Sequence, residues 1–356
     1  MRISQHHRTT THGTSLAFVL ASLLYTTQPS MAATTQHWQP TKATPGIALS
    51  DGSMHPAIGY GTYKVGFVPA SASAAAAGQQ TAGAEGPSAR DCVRQALDVG
   101  YRFLDCAQFY GNEAQVGAAI CESGVPRDEL YLASKVWTDN IFAGREAVRA
   151  QVVKTLMDLG VESLDLYCVH WPVPGKHVDA YLELEACQRE GLIRSLGISN
   201  YALEDYLELM QKATIKPVVN QIEVNPFLYR RRTLAAFEAE GVKIQAYRAL
   251  RDGKAFGDPV VAGIAAAHGR SPAQVLGRWC VQKGCIYIPK SVKRQRMIEN
   301  AQVFDFALSD AEMTALDGLT TEAAVGAFAH LYRTCVNRDT PLAGTLDGVK
   351  MEITEW

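Results

Sequence analysis

The chain has 356 residues, 47% of them apolar and 20% charged, with a formal net charge of −2. That length provides one large domain or two ordinary ones, and the composition excludes collagen, disorder throughout and a small disulfide scaffold. The balanced charge gives no ground for nucleic acid or an anionic membrane surface as the main partner.

The first fifty residues differ from the rest, since the first acidic residue is Asp51. Arg2 and Arg8 precede an apolar run from Leu16 to Tyr25, and Ser30-Met-Ala32 follows. Three readings fit this order: a secretory signal cleaved after Ala32, an organelle transit peptide, or an upstream extension with translation starting at Met31 or Met54. The first two imply secretory or organelle targeting and the third a cytoplasmic protein. On each of them residues 1–45 stand outside the fold. The run is short for a membrane span, so no stable span is expected. His6, His7 and His12 are leader residues, and no metal site is expected from them. The eight cysteines lack C-x-x-C spacing and read as ordinary core and loop residues.

Beyond the leader, short β-branched and aromatic runs alternate with longer amphipathic ones. Ile47–Ser50, Asp51-Gly52 and Ser53–Ile58 predict a hairpin in which Asp-Gly supplies the positive φ angles of a tight turn. Strand-like runs follow at Ala57–Thr62, Tyr101–Asp105, Leu130–Ser134, Leu164–Val169, Ile193–Ile198, Val218–Ile222, Val242–Tyr247 and Cys285–Ile288. Between them, Val148, Val152, Leu156 and Leu159 recur at helical spacing, with Gly160 placed to end that helix. Ser271-Pro272 predicts a helix start, and Ser309 with Glu312 has capping-box spacing. Eight strands, each followed by a helix, predict an α/β fold, the (β/α)8 TIM barrel, with a parallel eight-stranded barrel behind a short N-terminal hairpin. A doubly wound sheet is the competing architecture, but Gly59-Tyr-Gly61-Thr-Tyr-Lys-Val-Gly66 lacks the G-x-G-x-x-G spacing it would use for a dinucleotide. The expected organisation is a leader over 1–45, a barrel over 46–320 with a low-complexity insertion at 69–88, and a tail over 321–356.

Catalytic groups of such barrels project from the C-terminal ends of the strands. Those ends carry Thr62, Asp105, Lys135, His170, Ser199-Asn200, Gln221 to Glu223, Tyr247 and Lys290-Ser291. Taken singly, Tyr110 or His170 reads as a packed core residue, Ser199-Asn200 as a helix cap, and Lys290–Arg296 as a solvated basic face. Their concentration at strand ends favours a functional reading.

At these residues the chain resembles the aldo-keto reductase family. The resemblance rests on Gly100-Tyr-Arg-Phe-Leu-Asp105-Cys-Ala-Gln-Phe-Tyr110-Gly-Asn-Glu113, on Leu166-Tyr-Cys-Val-His170-Trp171-Pro172 and Gly191–Asn200, and on Ile288-Pro-Lys290-Ser291 running to Arg296 and Glu299-Asn300. It spans about residues 46–320. It implies an NADPH-dependent oxidoreductase that reduces aldehydes and ketones by hydride transfer. The catalytic tetrad implied is Asp105, Tyr110, Lys135 and His170. Tyr110 is the proton donor, Lys135 lowers the phenol's pKa, Asp105 holds the lysine, and His170 orients the carbonyl. Ser199, Asn200 and Gln221 are implied ligands of the nicotinamide carboxamide, and Tyr247 its stacking ring, with Thr62 at the first strand end. Lys290, Ser291 and Arg296 are implied at the 2′-phosphate of NADP+, with Asn300 by the adenine. Two cations and a hydroxyl around a dianion favour NADPH over NADH. Tyr63, Trp137, His170 and Trp171 are the implied substrate walls, suited to a small-molecule carbonyl. Family members are commonly monomers, and no coiled-coil pattern or apolar stripe argues otherwise here.

Two departures stand out. The residue after the stacking tyrosine is usually Ser in this family, and here Arg248-Ala249 stands in the loop expected to cover the pyrophosphate. The tail after Thr320 carries Phe328, His330, Tyr332, Arg333, Cys335 and Arg338, which match no known specificity. The competing class is a cofactor-sensing binding subunit on the same fold, which retains the tetrad but turns over slowly.

Overall fold

The computed structural model describes residues 44–66 and 86–326. The expected leader up to residue 43, the low-complexity insertion up to residue 85 and the tail from residue 327 lie outside the described residues. Among the described residues no helix is long and apolar enough to cross a membrane.

Strands β1 (Gly46–Ala48) and β2 (Met54–Pro56) form the antiparallel hairpin, with Ile47 opposite His55. Its turn differs from expectation, because Gly52 alone takes a positive φ, 84°. The Gly52 N–H donates to the Leu49 carbonyl (3.1 Å), and the Leu49 N–H to the Ser53 carbonyl (2.9 Å). That pattern is a three-residue turn ending in a left-handed glycine bulge. Asp51 instead accepts from the Ser53 amide (2.9 Å) and hydroxyl (2.6 Å).

Eight parallel strands follow: β3 (Tyr60–Gly61), β4 (Phe103–Asp105), β5 (Tyr131–Val136), β6 (Leu164–Val169), β7 (Ile193–Ser199), β8 (Val219–Glu223), β9 (Lys243–Tyr247) and β10 (Ile286–Tyr287). They pair in sequence order from β3 to β10. The ladder also meets itself. The Tyr287 N–H donates to the Ala57 carbonyl, the Gly59 N–H to the Tyr287 carbonyl and the Gly61 N–H to the Pro289 carbonyl, each at 2.9 Å. This closure makes the sheet a (β/α)8 barrel, and a doubly wound sheet is excluded. The expected helices are present. The helix Arg145–Leu159 ends at Gly160 with φ 68°, and Ser271 and Ser309 cap Pro272–Gln282 and Asp310–Asp317 through capping boxes with Gln274 and Glu312.

Polarity changes along the inward positions of the strands. At the N-terminal ends Phe103, Tyr131, Leu166, Val219 and Ile286 pack with Leu49 and Ile47 of the hairpin into one apolar cluster. Two residues further along, β4 carries Asp105 and β8 Gln221; on β5 and β6 the change comes at Lys135 and at His170, just past the strand. Side chains on a strand alternate between faces, so one period-2 pattern supplies a sealed floor and a polar mouth.

His55, fully buried in the hairpin, sits in that floor against the rings of Phe103 and Tyr131, with centroids 4.6 and 4.1 Å away. Burial holds its pKa down to about 4, against a smaller upward pull from its bond to the Pro56 carbonyl. The unfolded chain takes up this proton near pH 6.5 and the folded chain only near 4, so stability is complete above that window and is lost as the pH falls through it. The loss amounts to about 1.4 kcal/mol per pH unit while only the unfolded form is protonated. His55→Met is expected to flatten the pH dependence of the unfolding free energy in this range, as measured by urea titration. The slope should not vanish, because the pKa of buried His170 is held down as well. An unchanged slope would remove His55 as its source.

Candidate active site

Closing the barrel brings the strand ends together around a cavity of about 470 Å³. Beneath its floor the ammonium of Lys135, only 1% exposed, donates to Asp105 Oδ1 (2.8 Å), to the Cys106 carbonyl (2.8 Å) and to the Tyr110 hydroxyl (3.2 Å). Asp105 and Lys135 come from the ends of β4 and β5. Tyr110 lies on a single 3₁₀ turn, Gln108–Tyr110, that Gly111 terminates. Burial opposes a charge on Lys135, yet the Asp105 carboxylate more than offsets it and raises the pKa above that of an ordinary lysine.

The Tyr110 phenol departs from the sequence expectation. Burial raises its pKa above 10, and Lys135 recovers only part of that rise. Lys135 acts in the expected direction, but desolvation of the phenolate outweighs it. Tyr110 therefore holds its proton at neutral pH.

His170 lies beside this pair, with its ring centroid 6.0 Å from that of Tyr110 and 4.8 Å from Trp137. Burial, and then the Lys135 charge, drive its pKa well below 6.5, so the imidazole is neutral. Its Nδ1 is buried without a hydrogen-bond partner. An unpaired acceptor costs less than an orphaned N–H, which places the ring proton on Nε2.

The next three strand ends build the opposite wall. Ser199 Oγ donates to the Gln221 carbonyl (2.9 Å), and the Asn200 amide donates to Ser199 Oγ and to the His170 carbonyl, both at 3.1 Å. Tyr247 OH donates to Asn200 Oδ1 (2.7 Å). Gln221 Nε2 donates to Asp105 Oδ1 (2.8 Å), the oxygen that Lys135 also holds. These residues, with Tyr63, Trp137 and Trp171, line the cavity.

Of the remaining candidates only Lys290 lines it. Thr62 is fully buried, and its hydroxyl donates to the Asp105 carbonyl (2.9 Å), so it braces β4. Of the third motif, Ile288, Pro289 and Lys290 line the cavity. The Ser291 carbonyl accepts from Tyr60 OH (2.6 Å), and its hydroxyl caps the Lys293 amide (3.1 Å). Arg296 and Asn300 sit on the following helix, Arg294–Ala301, the first exposed and the second buried.

Sequence reasoning missed Phe109, which lines the cavity and stacks on Trp137 with centroids 3.9 Å apart. Its signal was its position beside Tyr110 in the first motif. It also missed the conformation of the mouth. Among the described residues, the non-glycine residues with φ in the left-handed region are Lys64, Asn200, Arg248, Arg251 and Asp252, and all five line this cavity. Such conformations cost roughly 1–3 kcal/mol each and persist where the surroundings impose them. In the loop after β9, Arg248 bonds Glu223 Oε2 (3.1 Å) and Asp252 Oδ2 (3.2 Å), and Arg251 lies over the Phe227 ring. Burial lifts the Glu223 carboxyl above the usual carboxylate range, and Arg248 draws it partly back.

Among the described residues no group of three His, Cys, Asp or Glu side chains is placed to hold a metal ion. The arrangement is a neutral phenol on a buried ammonium, a neutral imidazole beside it, a polar amide wall, an aromatic slot and a cationic rim.

The model of the aldo/keto reductase family matches residues 58–321. A glyoxal reductase of Bacillus subtilis (strain 168) is 37% identical over 287 residues, covering 81% of this chain and 97% of that protein. The crystal structure of an aldo/keto reductase from Brucella melitensis superposes with a TM-score of 0.68 at 31% identity, covering 78% of this chain and 100% of the other. A Bombyx mori aldo-keto reductase in complex with NADP gives a TM-score of 0.69 at 29% identity, over 78% of this chain and 93% of that one. This chain belongs to the aldo/keto reductase family.

Proposed function

We propose that the chain is an NADPH-dependent reductase of small aldehydes and ketones, with Tyr110 as the proton donor. The observation that carries this reading is the Lys135 ammonium bonded at once to Asp105 and Tyr110 on the cavity floor. The residues present fit the cofactor. Gln221 lines the cavity, and its amide bonds Asp105 and Gln245 through Nε2, which leaves Oε1 for a carboxamide N–H. Tyr247 offers a ring, and Lys64, Arg248, Arg251 and Lys290 form a rim suited to phosphates. A complex with NADP in the Bombyx mori relative supports the same choice. When bound, NADPH supplies the hydride.

The protein's own residues account for the rest of the chemistry. Tyr110 carries its proton to the site because burial keeps the phenol neutral. As negative charge develops on a carbonyl oxygen beside it, the hydroxyl gives up the proton, and the adjacent ammonium stabilises the phenolate left behind. Asp105 keeps that ammonium charged and fixed. The neutral His170, protonated on Nε2, donates to the same oxygen and orients it. Tyr63, Phe109, Trp137 and Trp171 exclude water and give an apolar slot for the substituent. Substrates include small dicarbonyls of the kind that names the Bacillus relative.

Tyr110→Phe is expected to lower kcat by about 10²-fold or more, the usual contribution of a positioned acid, with NADPH affinity retained. NADPH oxidation across a panel of aldehydes, ketones and glyoxal, beside cofactor titration, checks this. Undiminished turnover would remove Tyr110 as donor. Binding of NADPH with no turnover on any carbonyl would instead favour the cofactor-sensing subunit.

Arg248→Ser is expected to weaken NADPH binding by about tenfold, or about 1.4 kcal/mol, and to flatten its dependence on salt. The guanidinium sits at the cavity mouth, half-exposed and held by two carboxylates, with N–H groups left for a phosphate. Equal dissociation constants for the two proteins across a salt series would refute this role.

A further inference from the structure

We infer that the N-terminal hairpin sets the orientation of the Gln221 amide from beneath the site, through His55 and Gln245 acting as positioning residues. This deepens the reading above and rests on Gln221 as the carboxamide ligand. The four side chains involved are all buried: His55 and Gln245 at 0%, Gln221 at 2% and Asp105 at 3% exposure. They form one line of hydrogen bonds from the barrel floor to its mouth. His55 Nδ1 is 2.8 Å from the Pro56 carbonyl, and His55 Nε2 is 2.8 Å from Gln245 Nε2. Gln245 Oε1 accepts from Gln221 Nε2 (2.8 Å), which also donates to Asp105 Oδ1 (2.8 Å).

The order of donors in this line is forced from its lower end. A peptide carbonyl only accepts, so His55 carries its proton on Nδ1. The ring lies among aromatic groups with no carboxylate in contact, so it is neutral and its Nε2 accepts. Gln245 must then present its NH2 downward and its oxygen upward. Gln221 answers with its own NH2, which also matches the acceptor-only carboxylate of Asp105. Gln221 Oε1 is the atom left for the cavity, where the NH2 of a carboxamide is its natural partner. A reversed Gln245 would set NH2 against NH2, and Gln221 could restore the pairing only by releasing Asp105. The hairpin and the tetrad thus hold Gln221 in one orientation from opposite sides, and a neutral histidine polarises the line.

Removing the acceptor at the base frees Gln245 to turn over. The test measures binding of NADPH and of adenosine 2′,5′-bisphosphate, which shares the adenine end but lacks the nicotinamide, to four full-length proteins: wild type, His55→Met, His55→Gln and Gln221→Met. NADPH affinity is expected to fall about tenfold in His55→Met, with the bisphosphate unchanged within about twofold, and to recover in His55→Gln, whose amide oxygen restores an acceptor. Equal loss for both ligands in His55→Met is the mark of a merely structural residue and overturns the proposal, as does an unchanged NADPH affinity. Gln221→Met separates the two levels of argument. If it binds both ligands like wild type, the carboxamide reading fails. If it weakens NADPH alone while His55→Met does not, the hairpin's role fails. Should the His55 variants not fold, long-range proton–nitrogen NMR of the wild-type histidine rings decides the lower end without any cofactor. A protonated Nδ1 and bare Nε2 on His55 are expected, and a protonated Nε2 overturns the proposal.

Discussion

One buried cation organises this molecule. An ammonium withdrawn from water is tolerated only when it is paired and fully hydrogen-bonded, and Lys135 meets that condition with three oxygens drawn from a short stretch of chain, Asp105, Cys106 and Tyr110. Leaving a buried charge without its partner costs on the order of 3–5 kcal/mol, so the pair also constrains how β4 and β5 finish. The strand ends, the 3₁₀ turn carrying Tyr110 and the carbonyl of Cys106 must all converge on one nitrogen. In the proposed reaction that same nitrogen would stabilise the phenolate of Tyr110.

Around that centre the site works by keeping its neighbours uncharged. Burial pushes the Tyr110 phenol toward its neutral form and the His170 imidazole toward its neutral form, although one is an acid and the other a base. Lys135 opposes burial at the tyrosine and reinforces it at the histidine. The outcome is a neutral hydroxyl and a neutral N–H facing the cavity over a single fixed positive charge. That distribution suits a reaction in which negative charge appears transiently on one oxygen. At the mouth the balance reverses, with Lys64, Arg248 and Arg251 carried on a backbone held in left-handed conformations. The strained residues surround the cavity, while the packed floor beneath holds regular strands.

The barrel and much of its site were legible in the chain because both follow short-range rules. Short β-branched and aromatic runs located every strand to within three residues, and Ser271, Ser309 and Gly160 marked helix ends by chemistry that acts over three or four residues. Reading the strand ends in order also recovered Asp105, Lys135, His170, Ser199, Asn200, Gln221 and Tyr247, all close in space only after closure. The turn at Asp51-Gly52 was misread because Asp51 has a local alternative, its carboxylate bonding Ser53, that a dipeptide rule does not weigh. Phe109 was passed over because its role depends on stacking with Trp137, twenty-eight positions away. Thr62 was read from its strand end and Ser291, Arg296 and Asn300 from the third motif; none of the four lines the cavity, and partners distant in sequence hold Thr62 and Ser291.

The sequence by itself determined the alternation of elements, the family motifs and the residue types at each strand end, since these depend on periodicity and on groups near one another along the chain. Only the tertiary structure decided the ionisation and orientation of those groups. Desolvation against Lys135 at Tyr110, the unpaired Nδ1 of His170 and the line from His55 to Asp105 all join residues from different strands. A proton's position depends on burial and on partners at hydrogen-bond distance, and those exist only once β3 has met β10.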